Sequence, residues 1–290
     1  MRREHAHPGP PFESLEARQL LSASLVNGVL TVTGTNAGDA ITVSRAFQFP
    51  FVMTQVYENG VRTFNSPLLV SSVEVDALAG NDTVRIGAGV PTSVITGGAG
   101  NDYLRGGDYD DKLAGESGID SLDGGGGNDA LFGGADFDWA DYRSRLTAVR
   151  VVLDDSANDG AIATAERDNA HADIEGVFGG AGNDVLVAQQ NSFNGNRLIG
   201  NAGHDDLTGG PGPDLLEGDV GFDELRGRGG HDVLLGGAHD DLLDGGSGND
   251  HMFGGDGDDL FFAADLEFDR AFGEAGADTF NGDFFDDWTQ

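Results

Sequence analysis

Acidic residues number 50 and basic residues 16 in this chain of 290, a formal net charge of −34, and glycine supplies 48 positions. That balance repels nucleic acid and anionic membrane and attracts cations. Cysteine is absent, which excludes disulfide and thiolate chemistry, and no apolar run approaches the ~18 residues of a membrane span.

In chain order, residues 1–22 come first. The stretch "FESLEARQLLSAS" resembles the LEPR-x-LL motif near the N-terminus of planctomycete surface proteins, with Ala17 in place of the usual proline. The resemblance implies export, so the expected location is secreted or cell-surface. Residues 23–92 follow. "LVNGVLTVTGTNAGDAITVS" alternates with period two around a Gly turn, and "SSVEVDALAGNDTVRIGAG" repeats the pattern with Asp82 in a half-matching turn. A β-rich N-terminal part leading into the next segment is expected.

From residue 93 the chain repeats. Asp102, Asp111, Asp120, Asp129 and Asp138 are spaced nine apart, in a first block over 93–141. After a break the interval returns at Asp205, Asp214, Asp223, Asp232, Asp241, Asp250 and Asp259, in a second block over 179–290. Asp184 closes a complete "GGAGND" but lies 21 residues before Asp205. Two residues after each aspartate stands an apolar side chain, from Leu104 and Leu113 to Met252 and Phe261. Disordered acidic, Gly-rich chains keep no such register.

The unit reads GGxGxDxUx, with U apolar. It resembles the hemolysin-type (RTX) calcium-binding repeat over residues 97–141 and 179 to about 290. The resemblance implies an all-β fold, a parallel β-roll solenoid, with several Ca²⁺ ions bound between stacked turns by Asp carboxylates and loop carbonyls. It assigns the thirteen aspartates above as metal ligands, together with the loop residues Gly98, Gly100, Gly118, Gly203, Gly212, Gly221, Gly230, Gly246, Gly248 and Gly257.

The slots have a physical reading. Six residues turn and three form a strand whose middle residue, slot 8, points inward. Strands nine apart are separated by a reversal, so strands 18 apart must pair, in parallel. Turns 18 apart then stack, and so do their carboxylates. One buried leucine per turn does not offset the ordering of nine glycine-rich residues, so ion binding must add to folding. Oxygen ligands in flexible number suit Ca²⁺ better than Mg²⁺. Slot 4 carries Tyr109, Asp136 and His239 in place of glycine. On that criterion 102/120, 205/223, 214/232 and 232/250 are the best pairs. Asp269, Asp278 and Asp287 resume the spacing after a one-residue slip, in glycine-poor loops that read as an apolar cap.

Residues 142–178 interrupt the ladder. "AVRVVL" reads as a strand, and Asp154, Asp155, Asp159, Asp168 and Asp173 fall in an acidic loop, solvated or holding one extra ion. No HExxH or GxSxG is present, and the seven histidines form no catalytic pattern, so no enzymatic activity is expected. The expected function is that of an extracellular calcium-binding protein, a structural surface or matrix element. Its partners would be calcium and a cell-surface or matrix polysaccharide. The alternative is a glycan-active enzyme or adhesin that carries the roll as a stability and secretion module.

Overall fold

The computed structural model describes residues 21–48, 51–263, 265–282 and 287–289; the export-type motif lies almost wholly outside them. Every described element is a strand, and no helix among the described residues is long and apolar enough to cross a membrane.

The nonapeptide dictates the winding. Tyr103–Arg105 and Lys112–Ser117 follow one another in sequence but belong to different sheets. Each pairs in parallel with the strand 18 residues on, so that Leu104 faces Leu122 and Leu113 faces Leu131. The chain thus coils between two sheet faces. A 14-stranded sheet runs along one face for the whole length. The other face holds a 7-stranded sheet through the first block and an 8-stranded sheet through the second.

The N-terminal part is built into the same coil. Val29–Thr33 and Ser72–Asp76 join the 7-stranded sheet, and Ala40–Gln48 and Thr83–Ile86 join the 14-stranded one. Phe51–Glu58 and Val61–Ser66 extend the latter by antiparallel pairing. The segment 142–178 breaks the nonapeptide ladder but not the coil. Asn169–Ala170 closes the 7-stranded sheet, Gly176–Phe178 continues the 14-stranded sheet, and Val149–Val152 pairs with Val185–Val187 in the 8-stranded sheet. Past Asp259, Arg270–Ala275, Thr279–Gly282 and Asp287–Thr289 prolong both faces. Near that end Trp288 packs on Phe280 and Phe261.

Slot 8 supplies the core. Leu104, Leu113, Leu122 and Leu131 in the first block, and Leu207 through Phe261 in the second, are 0% exposed. They form one cluster with Leu30, Ile41, Val73 and Val84 of the N-terminal part. Slots 7 and 9 face outward, where Arg226 pairs with Asp206 at 2.7 Å and with Glu224.

In calcium-containing buffer, Leu225→Ala should destabilise the protein by about 2–5 kcal/mol through the cavity it leaves. Its neighbour Arg226→Ala should cost about 1 kcal/mol or less, as surface ion pairs do. Denaturant unfolding of the two variants checks the inward–outward assignment; equal losses would contradict it.

Candidate metal sites

The turns lie in two rows along the edges of the coil. One row leads into the 14-stranded sheet and carries Asp102, Asp120, Asp138, Asp214, Asp232 and Asp250. The other leads into the opposite face and carries Asp111, Asp129, Asp184, Asp205, Asp223, Asp241 and Asp259. All thirteen carboxylates are buried and do one thing in common. Oδ1 accepts the backbone N–H of the residue at the same place in the preceding turn, at 2.5–2.8 Å. Asp102 N–H binds Asp120, Asp205 N–H binds Asp223, and Asp232 N–H binds Asp250. Each aspartate is therefore both donor and acceptor in a column of stacked turns.

The second carboxylate oxygen divides the set. In Asp111, Asp184 and Asp214, Oδ2 accepts the slot-2 N–H of its own turn, from Gly107, Gly180 and Gly210. In the other ten, Oδ2 is buried with no hydrogen-bond partner. Slot 2 explains the difference. In all ten it lies at positive φ, whether the residue is glycine, as at Gly98 (106°), or Glu116 (78°), Asn201 (72°), Asp219 (71°) or Arg228 (74°). Gly107, Gly180 and Gly210 do not adopt positive φ. Reversing φ at slot 2 turns the peptide between slots 1 and 2, so its N–H no longer meets the carboxylate. Asn and Asp tolerate this conformation, but Glu116 and Arg228 accept one that disfavours them, and local strain of this kind marks functional positions.

What replaces the lost donor is more oxygen. A Cβ placed on Gly97 would overlap Asp102 Oδ2 and lie 3.0 Å from the Gly115 carbonyl oxygen; one on Gly115 would overlap Asp120 Oδ2 and lie 2.7 Å from that of Gly133. Slot 4 repeats the theme. Gly118, at φ 120°, sits so close to the Gly100 carbonyl oxygen that a side chain would overlap it. Anionic and carbonyl oxygens converging without a donor fit a hard cation. Among the described residues no three His, Asp or Glu side chains cluster to hold a metal, so peptide carbonyls must supply most of the ligands. The ten carboxylates and the slot-1, slot-2 and slot-4 carbonyls around them are the groups that would hold calcium. A bound ion would supply the positive charge that the stacked oxygens lack.

Of the ten glycines expected at the sites, all but Gly212 adopt positive φ. The slot-4 criterion is not what separates the turns. Asp136 and His239 keep positive φ there, at 81° and 87°, whereas Tyr109, Gly182 and Gly212, the slot-4 residues of the three closed turns, do not. Asp214 has glycine at slot 4 yet closes on itself.

Electrostatics follow the burial. Desolvation pushes the Asp129 carboxyl up to about 9, with Asp168 adding to it. Asp232 is pushed to about 8, Asp138, Asp205 and Asp241 to about 7, and Asp120 and Asp259 to about 6, burial being the main cause throughout.

Several members of the rows escape the nine-residue interval. Asp39 and Asp82 precede Asp102, linked by the same N–H to Oδ1 bond at 2.5 and 2.7 Å. Asp168 follows Asp129 after 39 residues, at 2.9 Å, and Glu175 follows Asp138 at 3.1 Å. The insertion is therefore solvated only in part: Asp154 and Asp155 are exposed, Asp173 is half-buried, and Asp159 and Asp168 turn inward. Asp159 and Asp168 are 1% and 0% exposed. Asp159 holds the N–H groups of Val152 and Ala170, and Asp168 Oδ2 accepts from the Tyr142 hydroxyl. A second, exposed ladder runs beside the first at slot 5. Asn101 accepts from Ile119 N–H, Asp110 from Asn128, His204 Nδ1 from Phe222 and His231 Nδ1 from Asn249. The recurring "GND" is its signal in the sequence, and it gives two of the histidines a capping role.

Fold and sites together define a calcium-binding parallel β-roll. The model of the RTX calcium-binding nonapeptide repeat matches residues 93–108, 105–140, 177–190, 194–216, 208–243, 217–252, 235–265 and 261–288. These spans cover more than half of the chain, which belongs to that family. No curated protein matches it.

A carboxyl whose folded pKa exceeds its unfolded value of 3.8 holds its proton more tightly in the fold. Without metal, the folded state is therefore favoured in acid and loses stability as pH rises from about 4 through the values of Asp120, Asp232 and Asp129. Calcium-free protein should show more β-signal by circular dichroism at pH 5 than at pH 9; the reverse order would contradict the assignment. With calcium at pH 7.5, Asp232→Ala removes an unpartnered oxygen and should lower the bound calcium by one or two ions. Asp111→Ala removes a self-closed carboxylate and should lose one ion at most. Calorimetric stoichiometry separates them.

Proposed function

We propose that this chain is an extracellular, non-enzymatic calcium-binding protein whose roll completes its folding on calcium and serves as a rigid surface or matrix element. One observation carries the reading: ten buried carboxylates each leave an oxygen without a partner, in columns where the neighbouring groups are carbonyls. Removing the ions leaves these oxygens to repel one another, so binding and folding are coupled.

Location follows from affinity. A site made mostly of carbonyls, with one or two carboxylates per ion, belongs with the extracellular modules that bind at about 10⁻⁴–10⁻³ M calcium. Such a roll stays loose in the cytosol and hardens after export. A cell-surface or matrix polysaccharide is the partner class such an element would meet. The shallow groove beside Phe137, Trp139, Arg197, Leu215 and Val233 on the 14-stranded face is where an adhesin reading would place it.

In a calcium titration followed by circular dichroism, β-signal should rise near 10⁻⁴–10⁻³ M calcium, and equal magnesium should do little. An unchanged spectrum and melting temperature with and without calcium would overturn the coupling. Recovery of the mature protein only from the cytoplasm would overturn the location.

A further inference from the structure

The column of stacked carboxylates extends into the N-terminal part, one turn ahead of the first family match. Residues 77–82, "ALAGND", break the repeat at slots 1 and 2 and stand 20 residues before Asp102 instead of 18. The two additional residues fall between Asp82 and Ser93, whose N–H occupies the equivalent place in the other row by binding Asp111 Oδ1.

The turn nevertheless has the open form of the ten sites above. Asp82 is 2% exposed, its Oδ1 accepts Asp39 N–H, and its Oδ2 is buried without a partner. Slot 2 is Leu78 at φ 76°, and slot 4 is Gly80 at φ 128°. A β-carbon on Gly98 or Gly100 would overlap the carbonyl oxygens of Leu78 and Gly80. Gly118 bears the same relation to Gly100, and Gly221 to Gly203, inside the matched repeats. At slot 5, Asn81 accepts Asn101 N–H at 3.0 Å. A leucine held at positive φ to present a carbonyl is hard to explain by packing alone. By contrast, Asp39 in the turn before is closed, its Oδ2 accepting the N–H and hydroxyl of Thr35 at 2.7 and 3.0 Å.

We propose that the turns 77–82 and 97–102 hold a further calcium ion, with Asp82, Asp102 and the carbonyls of Leu78 and Gly80 among its ligands. The inference rests on the calcium-binding reading of the repeats. It makes the N-terminal part a calcium-dependent segment of the roll, with Asp39 as the self-closed start of its column.

Native mass spectrometry of the full chain in calcium should count one ion fewer for Asp82→Asn than for the wild type. Exchange of the Thr83 and Tyr103 amides, which bond to the Asp39 and Asp82 carbonyls, should quicken at least tenfold in the variant. A folded Asp82→Asn with the wild-type count would overturn this site alone; a wild type that binds no calcium would overturn the reading beneath it. Ala77→Gly restores glycine at slot 1 and provides a test that keeps the carboxylate. It should leave the count unchanged and tighten one site at least twofold against a competing chelator, and an unchanged isotherm would contradict the proposal.

Discussion

Everything in this molecule depends on how a buried aspartate divides its two oxygens. Oδ1 is committed to the backbone N–H of the turn stacked before it, a charge-assisted bond that fixes the spacing of the coil. Oδ2 is either closed by its own turn or left among carbonyls. The closed cases among the assigned ligands, Asp111, Asp184 and Asp214, are each the first aspartate of a column; their Oδ1 partners are Ser93, Val149 and Asn196, not another aspartate. A turn with no carboxylate stacked before it folds onto itself. Among these thirteen a turn with one behind it opens, and the difference is a reversal of φ at slots 2 and 4.

This division explains why the roll tolerates sequence drift where a fixed consensus would not. Slot 2 needs positive φ more than it needs glycine, so Glu116, Asn201, Asp219 and Arg228 serve. Slot 6 also drifts beside the insertion, where half-buried Glu175 accepts the Asp138 N–H in place of an aspartate and Asn196 stands at the head of the Asp214 column. Asn196 meets Asp214 with both its N–H and its amide, a neutral substitute where the column would otherwise carry another carboxylate.

The sequence shows the coil plainly because a fixed interval of nine leaves little freedom. Parallel pairing at 18, the inward leucines and the stacking of twelve aspartates follow from it, and the fold shows each; Asp184, 21 residues before Asp205, joins the same column off the interval. What escapes is whatever keeps the column while losing the interval. Asp39, Asp82 and Asp168 sit 43, 20 and 39 residues from their column partners, because loops of any length can leave and rejoin a solenoid between rungs. The rank of the sites was equally hidden. Glycine at slot 4 is visible in the sequence, but the peptide orientation at slot 2 depends on what lies in the preceding turn, which is a neighbour only in space. Gly107 and Gly125 are the same residue in the same slot, and only the second is turned to positive φ.

Anomalous diffraction at a wavelength where calcium scatters, from crystals grown in calcium, tests the central claim most directly. Peaks should appear in the columns between successive turns, within coordination distance of Asp120, Asp129, Asp223, Asp232 and Asp241 Oδ2 and the slot-1 carbonyls beside them. Water or protonated carboxylates at those positions, with no anomalous signal, would contradict the account.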